Sequence, residues 1–350
     1  MSDTAQGVAE ALGSPPGGRV PASSLLRRLR AAAILATRQR EATVLVVVVL
    51  MVGYFGLERP STFFSSENYP ILSQIAGPIA IIAIGEVLLL ICGEIDLSPG
   101  FVYLFAPFLM HYLIDYYSFP VIPAIGVVLL MGALVGWVNG FLVVKLAVPS
   151  FIATLGTGFI LLGITLTTSN ATQASIPVSA VGIGKWIGSY SYAEIAWAIA
   201  LVAVFHIVLT RTRWGLHTIA TGSNQLGARE AGINVARIKY GSFMICAVLG
   251  AFVGLQIAFQ TSVIDPSSGG YGPMFSAVTA AVIGGTAMLG GSGTIIGAFL
   301  GSVMLAVLTD GFDVMGISAY PIQYITGAAI LIAMIANVQL ARLRGSGRKR

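Results

Sequence analysis

The sequence predicts an all-α, polytopic membrane protein of about ten transmembrane helices, and three observations support this fold class. Hydrophobic residues make up 56% of the 350 residues and charged residues only 9%, whereas soluble proteins typically carry about 25% charged residues. The apolar residues form long runs, as helices that cross a bilayer require. The 42 glycines suit close helix packing in lipid, where small residues let backbones approach one another.

The predicted helices follow one another with short polar connections and no inserted soluble domain. In order they cover 43–58, 70–92, 100–115, 120–143, 151–168, 191–210, 240–262, 273–290, 294–310 and 320–340. Several are shorter than the ~20 residues that cross a bilayer upright. Residues 1–42 are predicted to form a basic cytoplasmic tail, 43–340 the transmembrane domain and 341–350 a second basic cytoplasmic tail.

The distribution of positive charge gives the orientation of the chain. With the N-terminus inside and the helices alternating in direction, 17 of the 19 Lys and Arg residues fall inside, and only Arg59 and Lys185 fall outside. An excess of Lys and Arg marks the cytoplasmic side of a membrane protein. An odd number of helices would place the basic residues 342–350 on the opposite side, so an even number is favoured.

The same sequence features exclude several classes of function. The basic residues lie at membrane borders without interleaved aromatic residues, which argues against nucleic-acid binding. The P-loop pattern GxxxxGK(S/T) is absent, and no Ser-His-Asp, Cys-His or metal-ligand set appears. Cys92 and Cys246 lie in separate apolar runs and are interpreted as small buried hydrophobic residues. We therefore expect no enzymatic activity, cofactor or metal in this chain itself.

One internal segment, residues 211–240, is polar and basic between two apolar runs. Its centre predicts a short helix over 225–231, with Asn224 as the N-cap and Gly232 as the left-handed residue that ends it. Asn234 can cap the helix that follows. A helix this short is marginal alone in water, so it needs a surface on which to dock.

Apolar residues within this polar segment leave two interpretations open. Leu226, Ile233 and Val235 could be gripped by a cytoplasmic partner that uses the segment as a lever. Alternatively, the segment is an ordinary connecting loop with a small surface helix.

Three carboxylates lie within or between predicted membrane helices, where charge is costly and marks functional candidates. Glu86 lies in the apolar run IAIGEVLLLIC, where it could pair with another helix, stay protonated or contact a ligand. Glu94 and Asp96 lie in CGEIDLSPG, where glycine and proline predict a helix break. Asp96 either caps the next helix, as Ser98 could, or serves as a hydrogen-bond acceptor beside a polar path.

Two further stretches carry polar or flexible residues. Ser150 and Phe151 open the fifth predicted helix, and Thr154 and Thr157 follow within two turns. These residues are interpreted mainly as helix initiation and packing, with the hydroxyl groups as possible contacts for a solute. The glycines between 284 and 293 predict a tight turn; they lack the Lys and the preceding strand of a phosphate loop.

Four stretches, in the expected order, resemble the permeases of sugar-type ATP-binding-cassette (ABC) transporters, the group that imports ribose, xylose and arabinose. They are GEIDLSPG at 93–100, VPSFIATLGT at 148–157, ATGSN with AR and AGINV within 220–235, and AAVIGGT with LGGSGT within 280–294. Each motif alone is weak, but four in order, within a resemblance over 43–340, are specific. Glu86 and Glu94 depart from the family pattern, which usually has uncharged residues at both positions.

The resemblance implies the ABC importer permease fold and a subunit that moves a monosaccharide or polyol-like solute across a bacterial cytoplasmic membrane. It implies a cytoplasmic ATPase that holds ATP and Mg²⁺, an extracytoplasmic solute-binding protein, and a second permease copy or close paralogue. Lipid surrounds the subunit, and nucleic acid is not expected as a partner. The alternatives are an ion-coupled secondary transporter and an ABC permease for a nucleoside or a branched-chain amino acid.

The resemblance also implies a group of coupling residues, and the polar residues within and beside the apolar runs supply a second group of candidates. Residues that would couple the chain to the ATPase are Gly222, Asn224, Leu226, Ala228, Arg229, Gly232, Ile233 and Asn234. Candidates for the translocation path are Glu86, Glu94, Asp96, Ser98, Phe151 and Thr154.

Overall fold

The computed structural model describes residues 40–317 and six later residues, all helical. These six are Tyr324, Gly327, Ala328, Leu331, Ile332 and Ile335. Predicted tail residues 1–39 and 341–350 lie outside the described residues, and the tenth predicted span, 320–340, is described at these six positions only. The first helix begins at residue 40, slightly before the predicted start.

The described chain is built almost entirely of helices. In order these are α1 Arg40–Glu58, α2 Pro60–Phe63, α3 Asn68–Ile91, α4 Pro99–His111, α5 Val121–Val144, α6 Ser150–Ser169, α7 Val181–Gly184, α8 Ala193–Arg211, α9 Arg213–Ser223, α10 Gln225–Glu230, α11 Val235–Thr261, α12 Tyr271–Ile283 and α13 Ile295–Val314. Short π-helical segments at Tyr112–Tyr116 and Lys185–Ser189 and a 3₁₀ turn at Val178–Ala180 complete the helical part. Seven helices in the described range, α1, α3, α5, α6, α8, α11 and α13, are long and apolar enough to cross a membrane.

Two helices form the centre of the bundle. The apolar window of α3 is 83% buried and that of α11 is 72% buried, whereas those of α1, α5, α6 and α8 are 22–28% buried. The central pair pack against each other, α11 also against α4 and α5, and α3 also against α8, α12 and α13. The peripheral helices therefore present most of their apolar surface outward, where lipid would cover it.

Glycines permit the close approach of the central helices. A Cβ atom on Gly85 of α3 would collide with the main chain of Cys246 on α11. A Cβ atom on Gly136 of α5 would collide with the backbone of Phe243 and Met244. This is the packing that the glycine content predicts, because small residues bring helix backbones together in lipid.

Two of the shorter predicted helices have different outcomes. The eighth predicted helix, 273–290, ends at Ile283 as α12, since the chain turns at Gly284 and Gly285 and Gly285 has a φ of +94°. The prediction was therefore wrong beyond 283. The third predicted helix, 100–115, is confirmed, as α4 followed directly by the π segment.

Several pieces of secondary structure were not predicted, and two of them matter for the functional site. Within 211–240, residues Arg213–Ser223 form helix α9, which Thr212 caps by accepting the Gly215 amide at 3.2 Å. On the opposite side of the bundle, strands β1 (Ala174–Ser175) and β2 (Val263–Ile264) pair antiparallel. This two-residue ladder leaves the all-α class unchanged.

Candidate functional site

The break between α3 and α4 is held together by side chains of α6. Gly93, with a φ of +76°, ends α3, and the Glu94 amide bonds back to the Leu89 carbonyl at 3.0 Å. The Ile95 amide donates to Ser150 Oγ at 3.3 Å and the Leu97 amide to Thr154 Oγ1 at 2.9 Å. Irregular backbone within a membrane needs such internal partners, so the first turn of α6 makes the break possible.

A buried polar network surrounds the break. Asn139 of α5 donates from Nδ2 to Ser98 Oγ at 2.8 Å and to Asp96 Oδ1 at 3.4 Å. Its Oδ1 accepts from Thr157 Oγ1 at 2.7 Å. Asp96, Ser98, Asn139 and Thr154 are all fully buried. One amide therefore joins α5, α6 and the break in the interior of the bundle.

Asp96 acts at the start of α4 in a different way from a standard cap. The N-cap residue is Ser98, whose side chain makes no cap bond. Asp96 Oδ1 instead accepts the Ser98 amide at 2.8 Å. Ser98 is therefore the N-cap by position but not by a side-chain bond, and Asp96 instead closes a tight turn ahead of the helix.

Glu86 lies beside this network on α3. Its Oε1 accepts from Cys246 Sγ at 3.5 Å, and both residues are fully buried. The Asp96 carboxyl group lies near it. Glu86 Oε2 and Asp96 Oδ2 have no hydrogen-bond partner among the described residues. Buried polar atoms without a partner are costly, so these two carboxyl oxygens are candidates for contact with a ligand.

Glu94 makes an ion pair with Lys239, which lies near the start of α11 and within the 211–240 segment. Lys239 Nζ, in the first turns of α11, lies 2.5 Å from Glu94 Oε1, with side-chain exposures of 12% and 13%. Because the pair is partly buried, removing either partner would leave the other charge partly buried and unpaired, which is costly.

The short helix α10 is capped at both ends as the sequence predicts. Asn224 accepts the Gly227 amide at 3.0 Å, and Asn234 accepts the Arg237 amide at 2.9 Å to start α11. Gly232 has a φ of +79°, and the Ile233 amide bonds to the Ala228 carbonyl at 2.9 Å, which completes a Schellman motif. The helix has one residue fewer than predicted, ending at Glu230.

One face of α10 is docked and the other is open. Ala228 is buried, whereas Leu226 is 68% exposed and Arg229 and Gly232 are exposed. An exposed leucine beside an exposed arginine, on a helix too short to be stable alone, is a surface that a partner could cover.

The end of α9 meets the end of α3 at a joint formed by three segments. Gly222 lies against the Ile91 carbonyl so closely that a Cβ atom would not fit. The same carbonyl accepts the Gly291 amide at 2.8 Å, and Ser223 Oγ donates to the Gly291 carbonyl at 3.3 Å. We call this the Ile91 joint. It connects the residues beside α10 to the start of the break.

The structure brings together most of the residues that the sequence suggested. Phe151 differs, because it is 52% exposed on the surface of α6. Sequence reasoning missed Asn139 and Cys246 and counted Lys239 only towards orientation. An amide alone in the apolar run of α5 was a signal that could have identified Asn139, since buried polar residues in membrane helices are rarely without a role.

Comparison with known proteins places the chain in a family. Residues 71–336 match the model of the branched-chain amino acid transport system / permease component family. The xylose/arabinose import permease protein of Sulfolobus acidocaldarius is 36% identical over 314 residues, which cover 87% of this chain and 86% of that protein. The fructose import permease protein of Rhizobium meliloti is 30% identical over 302 residues, 83% of each chain.

A third relative is the ribose import permease protein of Escherichia coli, which is 28% identical over 300 residues, 84% of this chain and 92% of that protein. No solved structure matches the chain. The match over most of the chain confirms the resemblance inferred from its motifs: the chain belongs to the family of membrane permease components of ABC-type import systems.

Proposed function

We propose that this chain is the membrane-spanning subunit of an ATP-driven importer for a monosaccharide or a similar neutral polyol, in a cytoplasmic membrane. The observation that carries the proposal is the extent of the similarity to permeases for pentoses and a hexose, at 83% or more of this chain. A family model named for branched-chain amino acid transport leaves the solute class open, but the relatives above all carry sugars in their names.

The exposed face of α10 is the surface that we assign to the partner ATPase. Leu226, Arg229 and Gly232 would contact the ATPase, which holds ATP and Mg²⁺. Asn224 and Asn234 would keep the helix rigid through their cap bonds. Movement of α10 would reach the membrane by two connections, the Ile91 joint and the Lys239–Glu94 ion pair.

The polar break is the part of the chain that we assign to the solute path. Asp96, Ser98, Asn139 and Thr154 offer neutral and anionic hydrogen-bonding groups, which suit hydroxyl groups rather than a hydrocarbon. They are buried in the single subunit. We infer that a second permease copy and a rearrangement on ATP binding expose them, with an extracytoplasmic solute-binding protein delivering the solute.

Reconstitution tests the proposal. We expect proteoliposomes containing the permease, its ATPase and its solute-binding protein to accumulate D-xylose, D-ribose or D-fructose when ATP is inside, and an uncoupler to have no effect. The control omits the ATPase. Uptake by the permease alone that is abolished by an uncoupler would instead favour an ion-coupled transporter.

Charge reversal tests the assignment of α10. We expect Arg229→Glu to weaken capture of the purified ATPase by the permease in detergent. The matched control is Arg213→Glu, which makes the same charge change at an exposed position of α9. Equal capture by both variants would count against α10 as the contact surface.

A further inference from the structure

A cleft with a polar rim lies at the end of the bundle opposite α10. Its volume is about 310 Å³, and α4, the last turns of α11 and the segment 263–268 line it. Since Lys239 and α10 lie at the cytoplasmic end of α11, this end of the helix faces the extracytoplasmic side. The polar lining residues are Tyr103, Gln173, Thr261, Asp265 and Ser268.

The rim is held in a fixed geometry by strand pairing and by Asp265. The pairing of Ala174 with Ile264 brings the α6–α8 connection beside the end of α11. Gln173 Nε2 donates to Asp265 Oδ2 at 2.9 Å, and the Ser267 amide and hydroxyl donate to Asp265 Oδ1 at 2.8 and 2.6 Å. These Ser267 bonds hold the pKa of Asp265 below its usual range, so the rim keeps an ionised acceptor at neutral pH.

The inner wall of the cleft is apolar. Leu104, Pro107, Ile257 and Ile264 line it. Tyr103, at its base, is 7% exposed. The combination of an apolar wall with a few fixed polar groups is typical of sites for small polar molecules.

We propose that this cleft is an entry subsite for a neutral polyhydroxylated solute of monosaccharide size. The hydroxyl groups would face Gln173, Asp265 and Ser268, and the C–H face would lie against the apolar wall. The described lining contains no Lys or Arg, so the cleft offers no cationic partner for the carboxylate of an amino acid or for a phosphate. The choice of solute class rests on the proposed function, whereas the location of the site rests on the cleft.

Protection from labelling tests the subsite. Ser268→Cys places a thiol on the rim, and the two native cysteines are buried, which keeps background labelling low. With the purified full chain in detergent, we expect D-xylose, D-ribose or D-fructose to slow maleimide labelling of this variant about tenfold, because such a pocket buries most of a ligand's surface. The matched control, Ser175→Cys on exposed β1 outside the cleft, should label at the same rate with or without sugar.

Three results would overturn the proposal. The first is that none of these sugars slows maleimide labelling of Ser268→Cys or of a second rim variant, Thr261→Cys. The second is that the sugars slow labelling of Ser175→Cys equally. The third is that L-leucine slows labelling of Ser268→Cys as much as the sugars do. Sugar uptake by the reconstituted wild-type complex separates the two claims. Protection from labelling without sugar uptake would support the subsite and contradict the proposed function. Sugar uptake without protection would support the proposed function and contradict the subsite.

Discussion

Asn139 makes three side-chain hydrogen bonds, the most of any residue in the polar network. Its amide donates to Asp96 and Ser98 and accepts from Thr157. Hydrogen bonds between membrane helices average about 0.6 kcal/mol in stability, so the three bonds together are worth about 2 kcal/mol. Because the amide is fully buried, water cannot replace these partners.

We therefore expect Asn139→Leu to lower the free energy of unfolding by about 2 kcal/mol, measured by denaturation in detergent. Thr157→Val removes only one of the three bonds and should cost about a third as much. If Asn139→Leu is as stable as the wild type, or if Thr157→Val costs more, the network does not hold the break.

The sequence identified part of this network because some of its signals are local. The glycines and proline around Asp96 predict a break, and charge in an apolar run marks Glu86 as a candidate. The partner of each group could not be predicted from the sequence. Glu86 and Cys246 are separated by 160 residues and Glu94 and Lys239 by 145, and only the helix packing brings them together.

At the scale of elements, the segment between α8 and α11 also shows that local features were predictable and long-range contacts were not. The caps of α10 and the start of α11 were predicted correctly, because a cap bond joins residues three positions apart. Helix α9 was missed since its polar and glycine-rich sequence has no long apolar pattern. The Ile91 joint was also missed, because it depends on contacts among α9, α3 and the turn before α13.

The Lys239–Glu94 ion pair yields a prediction about how α11 is tied to the break. Glu94→Lys places two cations side by side and should destabilise the protein, as should Lys239→Glu. The double variant Glu94→Lys/Lys239→Glu should recover most of the loss, with an interaction energy of about 0.5–3 kcal/mol in a double-mutant cycle. The measurement is the stability of the wild type, the two single variants and the double variant, determined by thermal unfolding in detergent.

Additive effects of the two substitutions would contradict a direct interaction. Sugar uptake provides a second readout. If the ion pair transmits movement, the double variant, in which the two charges are exchanged, should recover transport as well as stability.

At the scale of the whole molecule, composition predicted the helical membrane bundle, and the orientation given by the charges stays a prediction. Composition could not predict which helices are central, because the mean hydropathy of α3 and α11, 2.1 for each, lies within the range of 1.7–2.4 of the peripheral helices, and the helices differ in burial. The described residues place α10, the Ile91 joint and the polar break at one end of the bundle and the cleft at the other end. Movement of α10 would therefore be transmitted to the polar break through direct contacts.

The central claim is that movement of α10 reaches the solute path through the Ile91 joint. Gly222→Ala tests it, because the added methyl group collides with the Ile91 carbonyl while the exposed face of α10 is unchanged. The matched control is Gly163→Ala in α6, where a Cβ atom meets nothing within 4 Å.

The decisive measurement is the amount of sugar accumulated per ATP hydrolysed by reconstituted complexes. Coupling between sites is typically 1–3 kcal/mol, so we expect Gly222→Ala to bind the ATPase and hydrolyse ATP while this ratio falls about tenfold. Gly163→Ala should behave as the wild type. An unchanged ratio for Gly222→Ala, with normal ATPase binding, would contradict transmission through this joint.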